Sequence, residues 1–166
     1  MGRRAPLALL LGLLAGCPED GPPPGDCPGG GDRELQVSRR DDDAPVLVDG
    51  AELDVFPPPQ GGTFTELDVV IVGLRADQID ELRVDVRRQD DGSPLSVQRY
   101  TGEAIEFGSL CRPGGTLLLQ NLPVGFFDSV VLEELEGVGA HLSMVATVGD
   151  DEVRFEVDVV LTVTSF

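Results

Sequence analysis

HLSMVATVGDDEVRFEVDVVLTV, residues 141–163, decides the fold. Leu142, Met144, Ala146 and Val148 alternate with His141, Ser143 and Thr147. After Gly149-Asp150-Asp151 the alternation resumes. Val153, Phe155, Val157, Val159, Leu161 and Val163 point one way, and Arg154, Glu156, Asp158 and Thr162 the other. Successive side chains of a strand point to opposite faces, so each run has one apolar and one polar face. Two such runs flanking a Gly-Asp turn predict an antiparallel hairpin, dry on one face and wet on the other.

The same pattern extends towards the N-terminus. Strands are expected at Phe64–Leu74, Glu81–Arg88 and Leu95–Tyr100, with Asp90-Asp91-Gly92 turning between the last two. Thr116–Asn121 reads as a shorter strand. Val46–Phe56 supplies an opening strand, interrupted at Asp49-Gly50 and ended by Pro57-Pro58-Pro59. Ser129–Leu135 reads as a strand or one helical turn, with strand favoured. Seven to eight strands in about 120 residues, with no convincing helix, predict an all-β antiparallel sandwich over residues 45–166. Strand number and spacing resemble the immunoglobulin (Ig) or fibronectin type III class. Two marks of that class are absent. The chain has no tryptophan, and its one tyrosine, Tyr100, precedes the wrong strand for a tyrosine corner. Cys27 and Cys111 also do not fit the usual intersheet bridge.

The first sixteen residues read differently. Arg3 and Arg4 precede an uncharged run from Leu7 to Ala15 that contains six leucines. That run is too short for a bilayer-spanning helix, which needs about 20 residues. A basic start, a short apolar stretch and small residues before a cut site describe a secretory signal. Leu14-Ala15-Gly16-Cys17 resembles the lipobox of bacterial lipoproteins. The resemblance implies cleavage before Cys17, lipidation of its thiol and acylation of the new amino terminus. It also implies a cell-envelope location, held to a membrane through the N-terminal lipid. Residues 17–44 then read as a Gly/Pro-rich acidic tether. PEDGPPPGDCPGGG, residues 18–31, holds five prolines and five glycines, too few core-forming residues to pack. The tether, together with Pro59-Gln60-Gly61-Gly62 and a Gly73-Leu74 strand end, is similar to a group of uncharacterised lipoproteins from myxobacteria-like bacteria.

Charge and cysteine count bound the function. The whole chain carries a formal net charge of −18. Cleavage before Cys17 would leave ten arginines against thirty acids, a balance of −20. Nucleic acid is excluded as a partner on this ground, because phosphates are held by Lys and Arg. Attraction to anionic lipids is excluded for the same reason, so the acyl chains would do the anchoring. Three cysteines are an awkward number in an exported protein. If Cys17 is lipidated, Cys27 and Cys111 remain, to pair or to stay as free thiols.

Catalytic and metal motifs are sparse. His141 is the single histidine and lies on a polar strand face, with no motif that pairs it to Ser143 or Ser129. Met144 reads as core. No CxxC or HExxH spacing occurs. Cys111-Arg112-Pro113-Gly114-Gly115 lacks the lysine and helix of a phosphate loop. With thirty acids, carboxylates alone do not mark a glycosidase pair. Antiparallel neighbours would, however, gather Asp41, Asp42, Asp43, Asp77, Asp80, Asp150, Asp151 and Glu152 at one pole, with Asp90 and Asp91 at the other. Ca²⁺ takes six to eight oxygen ligands, so Asp77, Asp80, Asp150 and Asp151 are candidate calcium ligands. Solvated loop acids are the alternative. The leading expectation is a non-enzymatic, lipid-anchored structural or interaction module without cofactor, meeting an envelope protein or glycan. A calcium-dependent adhesion domain comes second, and a carboxylate enzyme third.

Overall fold

A computed structural model describes residues 30–40, 45–57, 62–112 and 115–164. Among these residues the chain forms nine strands: β1 (Glu34–Arg39), β2 (Ala51–Val55), β3 (Phe64–Val72), β4 (Glu81–Arg88), β5 (Pro94–Thr101), β6 (Ser109–Arg112), β7 (Thr116–Gly125), β8 (Gly139–Val148) and β9 (Asp151–Val163). One short helix, α1 (Gly102–Gly108), joins β5 to β6. The strands make two sheets, ordered β1-β3-β7-β6 and β2-β9-β8-β4-β5. With the divided opening strand counted once, this is the ABED and GFC order of an Ig-like sandwich, extended by β5 beside β4.

The hairpin at 141–163 forms as its pattern predicts. His141 opposes Asp158, Met144 opposes Phe155 and Val148 opposes Asp151. Leu142, Met144, Ala146, Val157, Val159 and Leu161 are buried. Leu82, Val84 and Val86 of β4 and Leu67, Val69 and Ile71 of β3 fill the space between the sheets with them. The core is thus largely aliphatic, with Phe126 its one buried aromatic side chain and no tryptophan among the described residues.

Four segments differ from expectation. Residues 34–39 lie in the stretch read as tether, yet they form β1, with Leu35 opposite Ile71 and Val37 opposite Val69. Only these two apolar side chains alternate, between polar neighbours, but both are buried. The folded domain therefore starts before Pro45. After β1 the chain changes sheets. Leu47 N–H still donates to Val37 O at 2.7 Å, and Gly50 N–H then donates to Asp158 O at 2.7 Å. That crossing makes β2 parallel to β9, Val55 beside Val163, where all neighbours were expected to be antiparallel. Within Ser129–Leu135 there is a single 3-10 turn at Leu132–Glu134 and no strand. Leu135 is buried and Leu132 packs partly on the core, a spacing of three that suits such a turn. Finally, β6 and α1 were missed because each is too short to show a period, although Ile105 of α1 is buried.

Two polar devices complete the sandwich. Leu67 opposes Leu122 but Val69 opposes Leu119, so Gln120 and Asn121 together face Asp68. Asn121 takes φ 53°, and its N–H donates to the buried Asp68 Oδ1 at 2.7 Å. This is a β-bulge closed by a carboxylate. The second device is a seam. β6 covers β7 only from Thr116 to Leu119. Beyond it, carbonyls of β7 are met by side chains of β5 from the other sheet. Ser96 Oγ donates to Gly125 O at 2.6 Å, Gln98 Nε2 to the same oxygen at 3.1 Å, and Tyr100 OH to Pro123 O. Burial pushes the Tyr100 hydroxyl up to about 12. A folded pKa raised above 10 favours the protonated phenol, so its stabilisation is full below pH 10 and is lost as pH rises through about 12. Tyr100 is the only tyrosine, so absorbance at alkaline pH reads it directly. The phenolate should appear with a midpoint near 12 in the folded protein and near 10 in denaturant. A folded midpoint near 10 would mean the seam is open.

Candidate functional site

One pole gathers the β3–β4 connection, the β8–β9 turn and the point where the described chain enters the sandwich. Gly73 marks that point. Its φ is +73°, and a Cβ there would sit 2.9 Å from Asp32 O and 3.2 Å from Gly31 O. Only glycine lets the incoming backbone lie this close. Arg33 Nη1 then reaches Asp151 Oδ2 across the pole at 3.1 Å.

The candidate calcium ligands are all placed here, but each is differently engaged. Asp77 is held by Arg75, with Nε to Oδ1 at 2.8 Å. That guanidinium keeps the Asp77 carboxyl below the ordinary carboxylate range. Asp80 Oδ2 accepts the Gly149 N–H at 2.7 Å and so caps the β8–β9 turn. Asp151 is paired to Arg33, and Glu152 to Arg154. Asp150 is exposed in the turn. Among the described residues no three His, Cys, Asp or Glu side chains converge as a metal centre requires. Asp41, Asp42 and Asp43 lie outside the described residues. The topology thus brings the four candidate ligands to one pole, but arginines and backbone N–H groups hold three of them apart.

Cys111 is disulfide-bonded, and it is the one cysteine among the described residues. It stands on β6 in the row Leu35, Ile71, Leu117, Cys111 that crosses the four-stranded sheet. The other two cysteines, Cys17 and Cys27, lie outside the described residues, so neither the lipidation site nor the partner of Cys111 is placed.

The outer face of the five-stranded sheet carries the histidine. His141 Nδ1 lies 2.8 Å from Asp158 Oδ1, which is its only hydrogen-bond partner among the described residues. Asp158 also accepts a hydrogen bond from Gln89. Gln89 reaches it by lying across β8 at Gly139, where any Cβ would collide with the amide oxygen. Gln89, Arg88 and Asp90 face Gly137, Val138 and Gly139 across a shallow cleft of about 410 Å³. Further along the same face, Asp85 is buried between Arg83, 2.6 Å from Nε, and Arg87 at 3.7 Å. No serine, threonine or cysteine completes a nucleophilic arrangement on His141 among the described residues.

The hydrogen bonds from His141 and then Gln89 hold the Asp158 carboxyl below its ordinary value. A depressed folded pKa stabilises the fold above the unfolded value of 3.8, and that contribution is lost as pH falls through the lower folded value. In an NMR titration Asp158 should protonate below pH 3.8, and His141→Ala should raise its midpoint. An unchanged midpoint in the variant would assign the shift to another group. Periodicity placed His141 and Asp158 on the same wet face. Sequence reasoning missed Gln89, because nothing local says that a turn residue will cross a glycine to a strand two positions over in the sheet.

No protein-family model matches the chain, and no curated protein matches it. Among solved structures the chain is similar to the CooA pilin subunit of enterotoxigenic Escherichia coli. The identity is 13%, over 78% of this chain and 99% of that one, with a TM-score of 0.34. It is also similar to murine CRIg at 10% identity, over 81% of this chain and 100% of that one, with a TM-score of 0.35.

Proposed function

We propose that this chain is a lipid-anchored cell-envelope protein whose Ig-like sandwich serves as a non-enzymatic structural or interaction module. The observation that carries the reading is where the chain enters the fold. Gly31 and Asp32 pack on Gly73 at the acidic pole, so a chain tethered at Cys17 would present the opposite pole away from its membrane. The net negative charge gives the domain no electrostatic hold on anionic headgroups, so the lipid alone would keep it at the membrane. A core of aliphatic side chains, with polar groups spent on the bulge and the seam, fits a scaffold rather than a catalytic cleft.

Cys27 is the proposed partner of Cys111. Four residues separate it from Gly31, an extended reach of up to about 14 Å. Two strand spacings, about 10 Å, lie between β3, where Gly31 docks, and β6, where Cys111 stands. Closing this bridge would leave only residues 18–26 as free tether.

The test is Cys17→Ala. The wild-type protein should fractionate with membranes and carry acyl mass on its N-terminal peptide. The variant should move to the soluble fraction with its fold intact. A variant that stays with the membrane, or a wild-type N-terminal peptide without acyl mass, would overturn the anchor.

A further inference from the structure

We propose that the pole opposite the point of chain entrance is a docking surface for a partner segment that combines a basic side chain with apolar neighbours. The inference rests on the reading of this chain as an interaction module, and not on its lipid anchor.

That pole is built from the β4–β5 turn and the connection from β7 to β8. The connection changes sheets and passes the turn on both sides. Phe127 N–H donates to Leu95 O at 3.0 Å on one side, and Gln89 N–H donates to Gly139 O at 3.0 Å on the other. Along it Phe127 stays 40% exposed and Val131 48% exposed. These are large apolar groups left in water, whereas Phe126 is buried and Phe56 packs on Phe64 with ring centroids 5.7 Å apart. On the Gly139 side of the turn lies the cleft of about 410 Å³, lined by Arg88, Gln89, Asp90, Gly137, Val138 and Gly139. Shallow as it is, a cleft of this size can seat a side chain of a partner segment.

Charge selects the occupant. Asp90, Asp128, Glu133 and Glu134 have no hydrogen bond or ion pair from their side chains among the described residues. The acids of the other pole contrast with them, since Arg75, Arg33 and the Gly149 N–H already engage Asp77, Asp151 and Asp80. In a chain of net charge −18, an acidic partner segment is repelled here, while a Lys or Arg finds unpaired carboxylates. The exposed Phe127 ring adds a surface on which a cation can rest.

Phage-displayed random dodecapeptides selected on the full-length chain, purified in detergent, test this. Selected peptides should place Arg or Lys next to Leu, Val or Phe. Binding should fall roughly tenfold or more on the Asp90→Asn, Asp128→Asn, Phe127→Ala variant, and stay unchanged on Asp150→Asn at the other pole. Should the triple variant unfold, the two Asn substitutions alone must still weaken binding and flatten its salt dependence. Selection of nothing, of peptides without a basic residue, of this chain's own sequences, or of peptides that bind the variants normally overturns the proposal. None of these outcomes bears on Cys17, so this surface and the anchor can fail separately.

Discussion

Cys111→Ala is expected to destabilise the protein by about 2–5 kcal/mol under oxidising conditions. Cys111 is disulfide-bonded on the edge strand β6. If its partner is Cys27, the bridge closes a loop of roughly 84 residues, for which chain entropy alone predicts about 4–5 kcal/mol. β6 pairs with β7 over just four residues, so little else holds this edge. Denaturant titration should then show Cys27→Ala losing as much as Cys111→Ala, and the double variant losing no more than either. Cys17→Ala should leave stability untouched. If Cys17→Ala is the destabilising change and Cys27→Ala is silent, then Cys17 is the bridge partner and its lipidation is excluded.

Leu142→Ala is expected to cost about 3–5 kcal/mol, from lost apolar transfer and the cavity left behind. Leu142 is fully buried on β8, with Val86 of β4 on one side and Val157 of β9 on the other. β8 is the middle strand of its sheet, so no edge can collapse into the space. In a chain of this size the melting temperature should fall by about 6–15 °C, with the denaturant m-value unchanged. Ser143→Ala, one position along on the wet face, should stay within about 0.5 kcal/mol. Equal effects at 142 and 143 would mean that the strand's faces are wrongly assigned.

The parts of the fold legible in the sequence are those where one side chain in two had to leave water. Residues 141–163 alternate apolar and polar on both sides of the Gly149-Asp150 turn, unbroken from Glu152 to Val159, and β8 and β9 follow the pattern in register. Glu81–Arg88 is likewise found with the bounds its pattern predicts. The pattern weakens where a strand is short or its partner distant. β1 offers only Leu35 and Val37, and the Gly/Pro-rich run before it suggests a tether until β3 is seen to bury both. The segment Ser129–Leu135 looked like a strand because Val130, Val131 and Leu132 are apolar in a row, but Val130, Leu132 and Leu135 reach the core from a 3-10 turn while Val131 stays exposed.

The candidate sites divide the same way. Alternation and turn spacing sufficed to send Asp77, Asp80, Asp150 and Asp151 to one pole. Whether they meet at a metal depends on Arg75, which is local to Asp77, and on Arg33 and the Gly149 N–H, which reach Asp151 and Asp80 from distant segments. Local sequence determined which residues form strands, because hydrophobic periodicity acts over a few neighbours. Tertiary structure decided the crossing of the opening strand, the Tyr100 and Ser96 seam, the Gln89–Asp158 bond and the exposed pole around Phe127. Each of these joins groups far apart in the chain, and the free energy of such a contact exists only once the two sheets have packed.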